Sequence, residues 1–165
     1  NHIANPSFVY MQYSFDDIAD IVLKNDSDMN SDIWKKLYNF CIRRMDIRYK
    51  ILKALYEKKM YERILEFEPI EAEEVFFYLG RAYKDMGCND LADHYLNKFL
   101  QSLKAGEDYR VKSVLGSNYL LSAYYHLGEI YYLKQDIEKA REYFELCISL
   151  SDTPHKKAQE YLLKL

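Results

Sequence analysis

The sequence contains one internal repeat, and this repeat limits the folds that the chain can adopt more than any other feature. Its two copies read Phe76-x-x-Leu79-Gly80-x-x-Tyr83 with Ala92-x-x-x-Leu96, and Tyr124-x-x-Leu127-Gly128-x-x-Tyr131 with Ala140-x-x-x-Phe144. In both copies the alanine follows the tyrosine by nine residues. Apolar residues three and four positions apart are typical of one face of an α-helix, so each copy predicts two successive helices.

Glycine and proline are both scarce, with 5 and 3 residues among 165. Folds built from β-strands need many turn residues, so this scarcity favours long helices joined by short connections. Apolar residues make up 49% of the chain and charged residues 30%, which is typical of a globular domain and not of a disordered segment. The sequence therefore predicts an all-α protein.

The two copies resemble the signature of the tetratricopeptide repeat, in which an aromatic-x-x-Leu-Gly-x-x-Tyr helix precedes an Ala-x-x-x-aromatic helix. The resemblance implies helix-turn-helix pairs stacked into an α-solenoid with one continuous core. The fold-defining residues that it implies are Leu79, Gly80, Tyr83, Ala92, Leu127, Gly128, Tyr131, Ala140 and Phe144. Because glycine has no β-carbon, Gly80 and Gly128 are expected to let the second helix approach closely, where Ala92 and Ala140 would meet them.

The repeat also predicts how the chain is divided. Residues 1–45 match no known pattern and are expected to form an N-terminal arm and helices that pack on the stack. Residues 46–165 are expected to form the tetratricopeptide-like domain, with a degenerate unit, two good units and a capping helix at 46–72, 73–106, 121–154 and 155–165. Tandem units recur about every 34 residues, whereas Leu79 and Leu127 are 48 apart. We therefore expect the first helix of the second good unit to be extended at its N-terminal end.

In a stack of this family the first helix of each pair lines the concave groove, so the resemblance implies where a partner would bind. The side chains expected to face the groove are Phe77, Arg81, Lys84, Ser122, Tyr125, Glu129 and Tyr132. Aromatic rings favour binding because they supply contact area at a low cost in rotamer entropy. The alternative is that these rings belong to the core and pack against the N-terminal segment, since tyrosine is frequent in this chain, with 17 residues.

No residue pattern in the sequence indicates catalysis or a cofactor. We find no G-x-S-x-G motif, no glycine-rich phosphate loop and no H-E-x-x-H motif. The cysteines and histidines are dispersed, which is typical of buried free thiols and argues against a zinc site. The net charge of -3 offers no electrostatic case for nucleic acid, and no apolar run is long enough to span a membrane. We therefore expect no enzyme activity, no metal and no cofactor.

The leading functional hypothesis is a protein–protein interaction module, such as an adaptor, scaffold or bacterial assembly factor, that binds a partner peptide or helix in its groove. One alternative is a structural oligomerisation domain, for example a homodimer, with its groove filled by residues 1–45. Another is an accessory domain of a larger enzyme or of a secretion or membrane complex. Free thiols favour the cytoplasm, but the chain begins at Asn1 and not at methionine, so a periplasmic or membrane-anchored form stays open.

Overall fold

The computed structural model describes residues 31–105 and 116–165 of the chain. Within these residues the protein consists of eight α-helices and contains no β-strand. The helices are α1 Ser31–Ile42, α2 Met45–Glu57, α3 Tyr61–Leu65, α4 Glu73–Asp85, α5 Asn89–Ala105, α6 Gly116–Leu133, α7 Ile137–Leu150 and α8 Lys156–Lys164. The predicted all-α fold is confirmed. The first 30 residues of the predicted N-terminal segment lie outside the described residues.

The chain divides into two compact units, Asn1–Arg63 and Ile64–Leu165. This division falls inside the predicted degenerate unit 46–72, so that unit and the predicted boundary after residue 45 stay predictions. The two good units of the predicted repeat and the capping helix all belong to the second unit.

In the first unit, a buried arginine accounts for the junction between α1 and α2. The guanidinium of Arg48, which is 7% exposed, donates to the carbonyl oxygens of Ile42 at 2.9 Å and Cys41 at 3.3 Å. The last carbonyls of a helix have no partner within the helix, so they need such a donor when they are shielded from water. Arg48 therefore ends α1 and holds the first turn of α2 against it.

In the second unit, α4 and α5 form one helix pair, and α6 and α7 form another with the same internal contact. A β-carbon on Gly80 would lie 2.7 Å from Cγ of Leu96, and one on Gly128 would lie 2.6 Å from Cε1 of Phe144. Separations below 3.0 Å leave no room for a side chain at either glycine. The predicted close approach of the second helix at both glycines is therefore confirmed.

The motif alanines are not the residues nearest to these glycines. Ala92 and Ala140 are fully buried, but the side chains closest to the glycines are Leu96 and Phe144, one helical turn further on. The predicted contact between the motif alanines and the glycines therefore stays a prediction. Four further fold-defining side chains were predicted in the helix pairs besides the glycines, the alanines and Phe144. Three of them are buried, namely Leu79, Tyr83 and Leu127, and Tyr131 is half-buried.

The first helix of each pair ends in the same way. Gly87 has a φ of +82° and its N–H binds the carbonyl of Lys84 at 3.0 Å, while Gln135 has a φ of +63° and its N–H binds the carbonyl of Tyr132 at 3.0 Å. In both turns the N–H of the next residue also bonds back to the preceding helix. This pairing is a Schellman motif, which ends a helix at a residue in the left-handed region.

The three cysteines differ in their surroundings. Cys41 and Cys147 are buried, and burial raises the pKa of their thiols, to about 12 and about 11 respectively. Cys88 is exposed, so the expectation of a buried thiol is wrong there. It lies in the turn between α4 and α5.

Helical residues flank the predicted unit 121–154 on both sides, and the predicted bounds of the extension and the cap stay predictions. Helix α6 begins at Gly116, ahead of the predicted unit 121–154, so the described part of the extension is helical. Helix α8 begins after His155, whose Nδ1 accepts the N–H of Ala158 at 3.2 Å. The methyl group of Ala158 is fully buried beside Phe144 and Cys147, so α8 closes the end of this core.

Candidate protein-binding surface

Side chains from three helices of the second unit meet on one face. Nζ of Lys84 on α4 lies 2.9 Å from Oε1 of Glu129 on α6. One turn earlier on α4, Nη1 of Arg81 donates to Oγ of Ser122 at 2.9 Å. On the other side of α6, the hydroxyl of Tyr161 on α8 donates to Oε2 of Glu129 at 3.0 Å. We call the face formed by Arg81, Lys84, Ser122, Tyr125, Glu129, Tyr132 and Tyr161 the binding face.

Glu129 is the residue that connects the three helices. Its Oε1 also lies 3.0 Å from Nδ1 of His126. Burial alone would raise the pKa of Glu129, but the hydrogen bonds from His126 and Lys84 outweigh burial and lower the pKa to about 2. Glu129 is therefore an ionised acceptor at neutral pH, and it fixes the positions of the donors around it.

The histidine beside Glu129 is neutral at neutral pH. Burial, together with the charges of Arg81 and Lys84, lowers the pKa of His126 to about 4, although the hydrogen bond to Glu129 opposes this shift. Because an ionised carboxylate only accepts hydrogen bonds, the Nδ1 of His126 carries the proton in this contact. His126 thus contributes a hydrogen bond to the binding face without a positive charge.

The aromatic residues of α6 contact the C-terminal helix. The ring of Tyr132 lies edge-on to Tyr161 with centroids 5.2 Å apart. The ring of Tyr125 lies 5.2 Å from His155 and 6.2 Å from Tyr161. Tyr161 also stacks on Phe144 at 4.7 Å. Both predicted tyrosines are half-buried, so they join α6 to α8 and keep part of their surface exposed.

Tyr161 lies in the predicted capping helix 155–165 and is not among the predicted groove residues. A signal for it exists, because Tyr161 follows Leu127 by 34 residues, which is the period of tandem units. Helix α8 therefore occupies the place that the first helix of a following unit would take. Because Leu127 is a buried motif residue, this placement accounts for the stacking of Tyr161 on Phe144. The hydroxyl of Tyr161 extends beyond that contact to Glu129.

Phe77 differs from the other predicted groove residues. Its ring is 4% exposed and packs against Phe99 and Tyr119 with centroids 5.3 and 4.6 Å apart. The hydroxyl of Tyr119 lies 2.7 Å from that of Tyr78, which holds Tyr119 over Phe77. The prediction that Phe77 lines an accessible groove does not fit this burial. Tyr119 precedes residue 121, so the N-terminal extension of α6 supplies the ring that covers Phe77.

Comparison with known families agrees with this geometry. Residues 121–154 match the family model of the tetratricopeptide repeat, over the same residues that the sequence motif predicts as the second good unit. No curated protein and no solved structure matches the chain. Among the helices of the described ranges, none has both the length and the apolar character needed to cross a bilayer.

The matched repeat also indicates a class of function. A tetratricopeptide repeat indicates a protein–protein interaction module, and the family is typically non-catalytic. The contacts at Gly80 and Gly128 show that the same helix pairing occurs twice in the second unit. Through residues 121–154, the chain is therefore related to the tetratricopeptide repeat family.

Proposed function

We propose that the chain is a non-catalytic adaptor that holds a peptide or a helix of another protein against its binding face. The observation that supports this proposal most strongly is the set of contacts made by Glu129. They bring Lys84 of α4 and Tyr161 of α8 to one face, together with side chains of α6 itself. In helical repeat proteins, a surface shared by successive units is the kind of surface that accepts an extended partner.

The binding face is organised before a partner arrives. The side chains of Lys84 and Glu129 are each 17% exposed and already paired, so binding does not have to immobilise them. Fixing side chains in advance lowers the entropic cost of association. The rings of Tyr132 and Tyr161 offer aromatic surface with hydroxyl groups, which is typical of protein interfaces.

Affinity capture with matched variants tests this proposal. Arg81→Gln removes a positive charge from the binding face, and Tyr132→Phe removes a hydroxyl while it keeps the ring. The matched controls are Lys98→Gln on α5 and Tyr143→Phe on α7, which change the same residue types outside the binding face. Lys98 lies over the rings of Phe76 and Tyr95. We expect proteins that the wild-type chain captures to be depleted by the first two variants and retained by the two controls.

The outcome that contradicts the proposal is equally specific. If capture is unchanged in Arg81→Gln and Tyr132→Phe but is lost in the controls, the partner binds another surface. Circular dichroism and thermal unfolding of all four variants establish that each is folded, so that a loss of capture reports on the surface. Light scattering of the wild-type chain tests the alternative that it is an oligomerisation domain.

A further inference from the structure

A second surface of the second unit lies where the first helix of each pair turns into the second. The turn after α4 and the turn after α6 are adjacent, because Nζ of Lys134 lies 2.9 Å from Oδ1 of Asp90 and 3.3 Å from Oδ2 of Asp93. These contacts join the end of α6 to the first turns of α5. We call residues 85–93 and 133–139 together the turn edge.

Exposed apolar side chains are concentrated at the turn edge. Among residues 34–103 and 118–165, whose side chains the structure describes, seven large apolar side chains are exposed, and four of them belong to this edge. They are Met86 at 43%, Leu91 at 43%, Leu133 at 63% and Ile137 at 39% exposure. Covering these groups with a partner would remove apolar surface from water, which favours interaction at this edge.

The turn edge is also strongly acidic. It carries five carboxylates and two lysines, a formal charge of -3, which equals the formal charge of the whole chain. Both lysines already have partners, since Lys134 pairs with Asp90 and Asp93, and Nζ of Lys139 lies 5.0 Å from the ring centroid of Tyr131 next to the edge. The side chain of Asp90 is 94% exposed, so its charge acts on approaching molecules.

We propose that the turn edge docks a basic amphipathic segment of a partner protein. Apolar side chains of that segment cover Met86, Leu91, Leu133 and Ile137, and its lysines or arginines lie beside the carboxylates. The charge argues against other occupants, because a surface of charge -3 repels nucleic acid, anionic membranes and a second copy of itself. The turn edge shares no residue with the binding face, and this proposal does not rest on the proposed function of that face.

A designed peptide tests the chemistry of this surface. The probe is a fluorescently labelled amphipathic helix of leucine and lysine, and the matched probe replaces every lysine by glutamate. Binding to the full chain is measured by fluorescence anisotropy. We expect the lysine peptide to bind, with an affinity that falls as salt is added, and we expect the glutamate peptide not to bind.

Pairs of substitutions test where on the chain the peptide binds. Leu133→Gln with Ile137→Gln removes half of the exposed apolar side chains of the turn edge. Leu150→Gln with Leu163→Gln removes two that are exposed elsewhere in the second unit, at 46% and 89%. We expect the first pair to weaken the lysine peptide about tenfold or more and the second pair to leave its affinity unchanged. Arg81→Gln on the binding face should also leave it unchanged.

Three results would overturn the proposal. One is an equal loss of affinity in both pairs of variants. Another is a loss of peptide affinity in Glu138→Lys while the variant with Leu133→Gln and Ile137→Gln binds as the wild-type chain does. The peptide would then bind through charge alone. The third is a dimer in light scattering that the Leu133→Gln and Ile137→Gln variant dissociates, since a second copy would then be the occupant. None of these results bears on capture by the binding face.

Discussion

Nζ of Lys84 lies 2.9 Å from Oε1 of Glu129, and each side chain is only 17% exposed. This ion pair joins the first helices of two successive helix pairs, α4 and α6. The same carboxylate accepts hydrogen bonds from His126 and Tyr161, so one residue connects α4, α6 and α8. Stability and the shape of the binding face should therefore depend on the same contact.

Replacing Glu129 by glutamine should destabilise the second unit. Glutamine keeps the size of the side chain but leaves the partly buried Lys84 without its counter-charge, which we expect to cost about 2 kcal/mol. The matched control is Asp90→Asn, which breaks the exposed pair with Lys134 and should cost less than about 0.5 kcal/mol. Urea unfolding followed by circular dichroism measures both, and equal costs would refute the connecting role of Glu129.

The stability of the chain should fall as the pH drops from about 6.5 to about 4. The pKa of His126 is lowered by burial from 6.5 to about 4, so over this range the unfolded chain binds a proton that the folded chain does not. Stability is thus highest above the unfolded pKa and declines through this window by up to about 3 kcal/mol. Glu129, with a pKa lowered to about 2, adds a further loss below its ordinary pKa.

His126→Gln tests the assignment of this window. The variant should flatten the dependence of unfolding free energy on pH between 6.5 and 4, because glutamine does not titrate. His94→Gln is the control, since His94 is exposed. This variant should show the same dependence of unfolding free energy on pH as the wild-type chain. A curve of the same slope in His126→Gln would show that another group causes the loss.

Gly128→Ala should be costly although alanine favours helices. The added β-carbon would lie 2.6 Å from Cε1 of Phe144, whose ring is fully buried and stacked on Tyr161. Overpacking outweighs the gain in helix propensity of about 1 kcal/mol, so we expect a net loss of about 2 kcal/mol. Thermal unfolding measures the effect, and a stabilised variant would contradict the observed helix pairing.

Gln135→Gly should stabilise the chain. Gln135 occupies the left-handed region with a φ of +63°, and Gly87 occupies the equivalent turn with a φ of +82°. Glycine adopts this conformation without the strain of a β-carbon, which is worth about 1 kcal/mol. Gly87→Ala should show the opposite sign, because nothing crowds its β-carbon and only the backbone is strained. Opposite signs in chemical unfolding are the expected result.

Sequence patterns predicted the helix pairs well because the motif reports local and repeated contacts. Leu79, Gly80 and Tyr83 repeat as Leu127, Gly128 and Tyr131, and each set packs in the same way on its second helix. The turn after α4 also follows from the sequence, since Gly87 is a typical residue for a left-handed helix end.

The binding face was predicted less completely because it depends on residues outside the motif. The burial of Phe77 requires Tyr119, which lies in the extension of α6 where the family pattern gives no guidance. Tyr161 reaches Glu129 only because α8 packs on α6 and α7. Contacts of this kind are set by the packing of whole helices, and spacing within one helix does not reveal them.

Site-specific photo-crosslinking measures the central claim most directly. A photoreactive phenylalanine derivative replaces either Tyr132 on the binding face or Tyr143 on α7, and the chain is irradiated in the cell from which it comes. We predict that a defined partner protein crosslinks at position 132 and not at position 143. Crosslinking of that partner at position 143 alone, or equally at both positions, would contradict the assignment of the binding face.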